Sequence, residues 1–136
     1  MGSASHENGS RSAHPFSIVG SVIGLGTQAG QPHCPDLAPV NKLVVGWLND
    51  HPGSNVNCTL EHRIVFHPRS EGDGGKAACA ETAWVLSGDV ATTGPDAYRL
   101  LHDLASCLLV GLKQAQWCRL TYPGERGPQA IMLPSQ

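Results

Sequence analysis

Thr93-Gly94-Pro95-Asp96-Ala97-Tyr98-Arg99-Leu100-Leu101-His102-Asp103-Leu104-Ala105-Ser106-Cys107-Leu108-Leu109-Val110-Gly111-Leu112-Lys113-Gln114 carries the strongest secondary-structure signal in the chain. Thr93-Gly94 offers a cap, Pro95 suits the first helical turn with its fixed φ, and Asp96 places a negative charge at the positive end of the helix dipole. Leu101, Leu104, Leu108 and Leu112 then recur at helical spacing. The pattern predicts an amphipathic helix from Pro95 to about Gln114, with that leucine stripe turned to a core.

The neighbouring segments supply the other elements. Val56 to His67 reads as a strand, with Leu60, His62, Ile64 and Phe66 on one face and Glu61 and Arg63 on the other. Pro68 to Lys76 is a Gly-rich loop. Cys79 to Leu86 stays open: Ala78 to Ala83 suits a helical turn, whereas Thr82 to Ser87 suits a strand. Upstream, Phe16 to Leu25 is β-branched and apolar, a strand interrupted at Gly20 and Gly24, followed by a loop over 26–34. A second helix is signalled at Pro35-Asp36, with Leu37, Val40, Leu43, Val44, Trp47 and Leu48 on one stripe, and stops before His51-Pro52-Gly53. Trp117 to Tyr122 and Ala130 to Leu133 read as short strands around Pro123-Gly124. This order predicts a small single α+β domain, two amphipathic helices packed on a short, mainly antiparallel sheet. The domain would span 15–133, between a disordered tail (1–14) and a short C-terminal end (134–136).

Composition narrows the classes. At 136 residues the chain can bury one core without staples. Its net charge of −2 argues against binding nucleic acid through a basic surface alone, and no DNA partner is expected. A hydrophobic fraction of 40% is too high for a disordered chain. The apolar run Leu104–Leu112 is less than half a membrane span, so peripheral membrane contact is compatible with it and a transmembrane crossing is not. The first fourteen residues have no apolar core and do not read as a secretory signal. Five cysteines in that setting read as reduced thiols of a cytoplasmic protein. The sequons at Asn8 and Asn57 are then idle. The Met1-Gly2 start departs from the myristoylation pattern at His6.

Five cysteines and seven histidines invite three chemical readings. Gly24, Gly26 and Gly30 are spaced one residue too long for a dinucleotide fingerprint, and Pro32 and Pro35 precede the helix; positive-φ turns explain these glycines better. Cys58 and His62 are separated by roughly 13 Å on a strand, and the chain has no paired Cys-x-x-Cys, so neither a metal nor an organic cofactor is expected. A thiol with an imidazole partner is the remaining chemistry. Cys34, Cys58 and Cys79 are considered as thiols, although Asp36 disfavours a thiolate at Cys34. The candidate catalytic set is Cys58 and Cys79 with His14 and His62. Set against it, His62 reads as a core histidine bonded to backbone, and free cysteines as packing residues. Cys107, inside the helical stripe, reads as packing.

His14-Pro15-Phe16-Ser17-Ile18-Val19-Gly20 resembles the H-box of the lecithin:retinol acyltransferase-like group, and Glu61-His62-Arg63-Ile64-Val65-Phe66 resembles a second version of it. Asn57-Cys58 reproduces that group's Asn-Cys motif. The segment from Cys79 to Gly88 resembles the helix that follows the motif, and Leu100 to Leu112 its later apolar segment. Short viral members of the group are the picornavirus 2A proteins; leader proteins are the related alternative. The resemblance implies a viral non-structural accessory protein of the host cytoplasm. It would support RNA replication by binding viral or host replication proteins, with RNA as a further partner, and without established protease activity. The C-terminal Gln136 suits release by a protease that cuts after Gln, and Met1 suits a leader. Two alternatives stand beside this one. The first is a Cys-His thiol hydrolase or acyltransferase; the second, on element order alone, is a phage tail-terminator-like structural protein.

Overall fold

The structure, a computed structural model, describes residues 13–23, 25–67, 79–112 and 117–133. Most of the expected tail, the 68–76 loop and the 134–136 end lie outside the described residues. Among the described residues nine elements follow one another: β1 (His14–Ser21), β2 (Thr27–Gln28), β3 (Gln31–Pro35), α1 (Ala38–Asp50), β4 (Asn57–His67), β5 (Cys79–Val90), α2 (Gly94–Leu112), β6 (Cys118–Gly124) and β7 (Gly127–Leu133). The large sheet has the order β4-β5-β1-β6-β7, antiparallel throughout, and β2 and β3 form a separate hairpin.

Two connections explain the architecture. The link β1-α1-β4 skips the position filled by β5, and β5-α2-β6 skips the position filled by β1. These interlocked crossovers give the βαββαβ arrangement of ferredoxin-like domains, extended at one edge by β7. The expected α+β class, with two helices on a mainly antiparallel sheet, is the one observed.

Both helices cover the same sheet face. Alternation puts Phe16 and Ile18 of β1, Trp84, Leu86 and Val90 of β5, and Cys118 and Leu120 of β6 against them. Val40, Val44 and Trp47 answer from α1, and Ala97, Leu101, Leu104, Ala105 and Leu108 from α2. Burying each of these leucines stabilises the fold by roughly 1.5–3 kcal/mol. Trp84 fits because β1 has Gly20 beneath it: a Cβ there would lie 2.2 Å from the indole ring. On the opposite sheet face Val19, Ala83 and Val85 form a smaller buried cluster with Trp117.

Several local expectations change. Cys79–Leu86 is a strand, because the segment pairs along β4 and, from Ala83 onward, also along β1. The helix that the resemblance implied after Cys79 is therefore a strand. The 26–34 loop contains the β2–β3 hairpin, whose Gly26 and Gly30 take φ of 80° and 76°, as expected of those glycines. Pro123 and Gly124 lie within β6 and pair with Pro128 and Gly127, so the chain reverses at Glu125-Arg126 instead. In β4, Glu61, His62, Arg63 and Ile64 are all exposed, Ile64 at 65%. His62 is thus not a core histidine, since this half of β4 lies beyond the cover of the helices.

Candidate ligand-binding groove

A broad concavity lies on the helix-bearing side, where the β2–β3 hairpin, the start of α1 and the β4 edge meet. It is an open groove of ≈ 910 Å³. Leu37, Val44, Val45, Leu48, Leu60 and Leu86 supply its apolar bed, and Thr27, Gln28, Asp36, Asn41 and Thr59 its polar margins, with Cys58 between them. An apolar bed with a few convergent polar groups is the usual make-up of a small-molecule site, and the volume falls in the range of such sites.

Local backbone bonds hold the groove together. The Asp36 N–H donates to the Gly26 carbonyl at 3.0 Å, tying the foot of the hairpin to the start of α1. Asp36 Oδ1 accepts from the Ala38 N–H at 3.0 Å and so satisfies one of the helix's free donors. Val44 is 5% exposed and Leu86 1%, whereas Val45 on the next helical position is 46% exposed and reaches the groove from its rim. Among the described residues that line the groove, Asp36 is the only one with a charged side chain at neutral pH.

The four residues proposed for thiol chemistry do not assemble. Cys58 pairs with Gly88 and His14 with Val90, so β5 runs between them. Two strand spacings separate their backbones by roughly 10 Å, beyond direct hydrogen-bond reach. His62 pairs with Trp84, far along β4 from Cys58, and Cys79 pairs with His67 at the other end of the same ladder. Neither cysteine stands at a helix N-terminus. Burial pushes the Cys58 thiol above its ordinary value of 9.0, and Cys118 is pushed up to about 12 by the same cause. Cys107 is raised by burial first and then by the carboxylates of Asp103 and Asp50. These are the conditions of protonated thiols, opposite to those of an activated nucleophile. Among the described residues no group of three His, Cys, Asp or Glu side chains could hold a metal ion, and no helix is long and apolar enough to cross a membrane.

Other features escape sequence reasoning. Trp47 Nε1 donates to Asp103 Oδ2 at 2.8 Å, across 56 positions of sequence. His51 stacks on Trp47 with ring centroids 4.1 Å apart, donates from Nδ1 to the Trp47 carbonyl at 2.8 Å, and leaves Nε2 3.6 Å from Asp103 Oδ2. This cluster clamps the end of α1 to α2. A second concavity of ≈ 460 Å³ lies where α2 begins, lined by Tyr98, Tyr122, Glu125, Arg126 and Gln129 among others. The groove residues do not emerge as a set from the sequence: Asp36 reads there as part of a helix start and as a charge that disfavours a Cys34 thiolate, and nothing local joins residues 27–48 to 58–60 and 86.

Fold and groove together define a small ferredoxin-like α+β domain with an open lateral groove of apolar bed and polar margin. No protein-family model matches the chain, and no curated protein matches it in sequence. Among solved structures it is similar to a phage SAM lyase in complex with S-methyl-5′-thioadenosine. The two share 12% identity at a TM-score of 0.55, over 90% of this chain and 90% of that one. At that identity the likeness establishes the fold. It also overturns the expected picornavirus-type accessory protein acting in RNA replication, because the structural counterpart is a phage enzyme.

Proposed function

We propose that this chain is a cytoplasmic enzyme acting on S-adenosylmethionine, a lyase that releases S-methyl-5′-thioadenosine from the groove. The observation that carries the reading is the fold shared with a SAM lyase over nine-tenths of both chains. The groove supports it, being large enough for a nucleoside with an extended side chain and built from apolar bed and polar margin in the manner such a ligand needs.

The chemistry suits the residues present. Release of the thioether breaks the bond between the sulfonium sulfur and the amino-acid chain, and the electron pair of that bond stays on sulfur. The carbon left behind either forms a bond to an oxygen of the substrate's own carboxylate, closing a lactone, or forms a double bond to its neighbouring carbon, whose proton passes to solvent water. A positive charge vanishes from sulfur along the way, so an apolar bed of the kind formed by Val44, Leu48, Leu60 and Leu86 favours the transition state over the charged ground state. No enzyme nucleophile is required, in agreement with a Cys58 thiol that burial keeps protonated. The free thiols at Cys34, Cys58, Cys107 and Cys118 fit the reducing cytoplasm where the cosubstrate of methyl transfer is made.

The test is direct. Purified protein incubated with S-adenosylmethionine should generate S-methyl-5′-thioadenosine, read by liquid chromatography with mass detection, faster than a heat-denatured control. Equal rates in the two samples would overturn the proposal.

A further inference from the structure

Among its described lining residues the groove has one carboxylate. Its lining combines an apolar bed with neutral amides and hydroxyls, and Asp36 is the only carboxylate among them. The Asp36 backbone is held by the Gly26 carbonyl, and Oδ1 is occupied by the Ala38 N–H. That leaves Oδ2. The ion pairs of the neighbourhood are made elsewhere, Arg63 with Glu61 on β4 and Arg99 with Asp96 on α2, and Lys42 lines a different concavity on the far side of α1. Among the described residues no cation pairs with Asp36. A carboxylate held in place at the edge of an apolar bed, with one oxygen uncommitted, has the geometry of a cation receptor.

We propose that Asp36 makes the groove selective for a positively charged centre on an apolar or nucleoside body, so that a sulfonium or ammonium ligand is held more tightly than its neutral thioether counterpart. The proposal deepens the adenosyl reading and rests on it for the rest of the ligand. It also gives the site a direction: a bound sulfonium loses its partner charge on becoming a thioether, so the product is held less tightly than the substrate. At this half-exposed position the charge contributes about a five- to tenfold preference, one unit of charge at a partly solvated distance.

The experiment compares two ligands that differ at the position of the sulfonium. Sinefungin carries an amine there, positively charged at pH 7, and S-adenosylhomocysteine carries a neutral thioether. Isothermal titration of the full chain should show sinefungin bound about five- to tenfold more tightly. In Asp36→Asn, whose amide oxygen still accepts from the Ala38 N–H, the preference should fall below about twofold, through a loss of sinefungin affinity several-fold larger than any loss for S-adenosylhomocysteine. Asp36→Ser, a second neutral capping residue, should behave alike and guards against a folding defect in either variant. An undiminished preference in both variants, an equal loss for both ligands, or no preference in the unaltered chain would overturn the inference. If neither nucleoside binds, hexyltrimethylammonium separates the two claims. Amide shifts around Asp36 that vanish in Asp36→Asn would uphold cation selectivity while the adenosyl reading fails, and their absence would overturn both.

Discussion

Cys58 shows how an environment reassigns a residue. As a sequence feature, Asn57-Cys58 marked a nucleophile; in the fold it is a half-buried thiol on a strand, facing α1, with its proton retained by burial. Thiolate, not thiol, reacts with alkylating agents, so a raised value lowers the reactive fraction at neutral pH and moves the rise in rate to higher pH. Iodoacetamide labelling followed by peptide mass spectrometry should therefore find Cys58 slower than free cysteine at pH 7, with its pH–rate profile displaced to higher pH than that of the free thiol. Labelling faster than free cysteine at pH 7 would contradict this account. His62 makes the complementary point. Its place in an alternating apolar pattern predicted burial, yet alternation describes only which face a side chain takes; whether a helix covers that face is a tertiary fact, and over Glu61–Ile64 none does.

At the scale of elements, the strongly periodic segments were legible and the paired ones were not. The Pro95 helix is observed over Gly94–Leu112 and the Val56 strand over Asn57–His67. In both, the signal lay within the segment itself. Cys79–Val90 was ambiguous because its alanines suit a helix while Thr82, Trp84 and Val85 suit a strand; pairing on both sides decides it, and a partner strand leaves no mark in local sequence. Gly88 marks how close that pairing is. It faces Cys58, and a Cβ on it would lie 1.8 Å from the Asn57 carbonyl oxygen, a backbone atom that cannot swing aside. Gly88→Ala should push β4 off β5 and cost at least the roughly 1–3 kcal/mol typical of overpacking, read as a lowered denaturation midpoint. Because β4 forms one wall of the groove, ligand affinity should fall with it. A variant as stable as the unaltered chain would show that the two strands are less tightly apposed.

For the whole molecule, the groove is a product of topology. The crossover from β1 through α1 to β4 carries the β2–β3 insertion to the same edge as Cys58–Leu60, and β5 brings Leu86 beneath them. Residues from four separate stretches meet there, which is why the sequence displayed its histidines and cysteines and concealed its site. The fold is similar to that of a SAM lyase, and Asp36 is the one carboxylate among the described residues that line the groove. The central claim, that an adenosyl thioether or sulfonium binds in this groove, can be located residue by residue. Titrating isotopically labelled protein with S-methyl-5′-thioadenosine and following its amide resonances should move Thr27, Gln28, Ala38, Asn41 and Cys58–Leu60 in a saturable way. Saturable shifts confined to Tyr98, Tyr122 and Glu125–Gln129, or none at all, would contradict it.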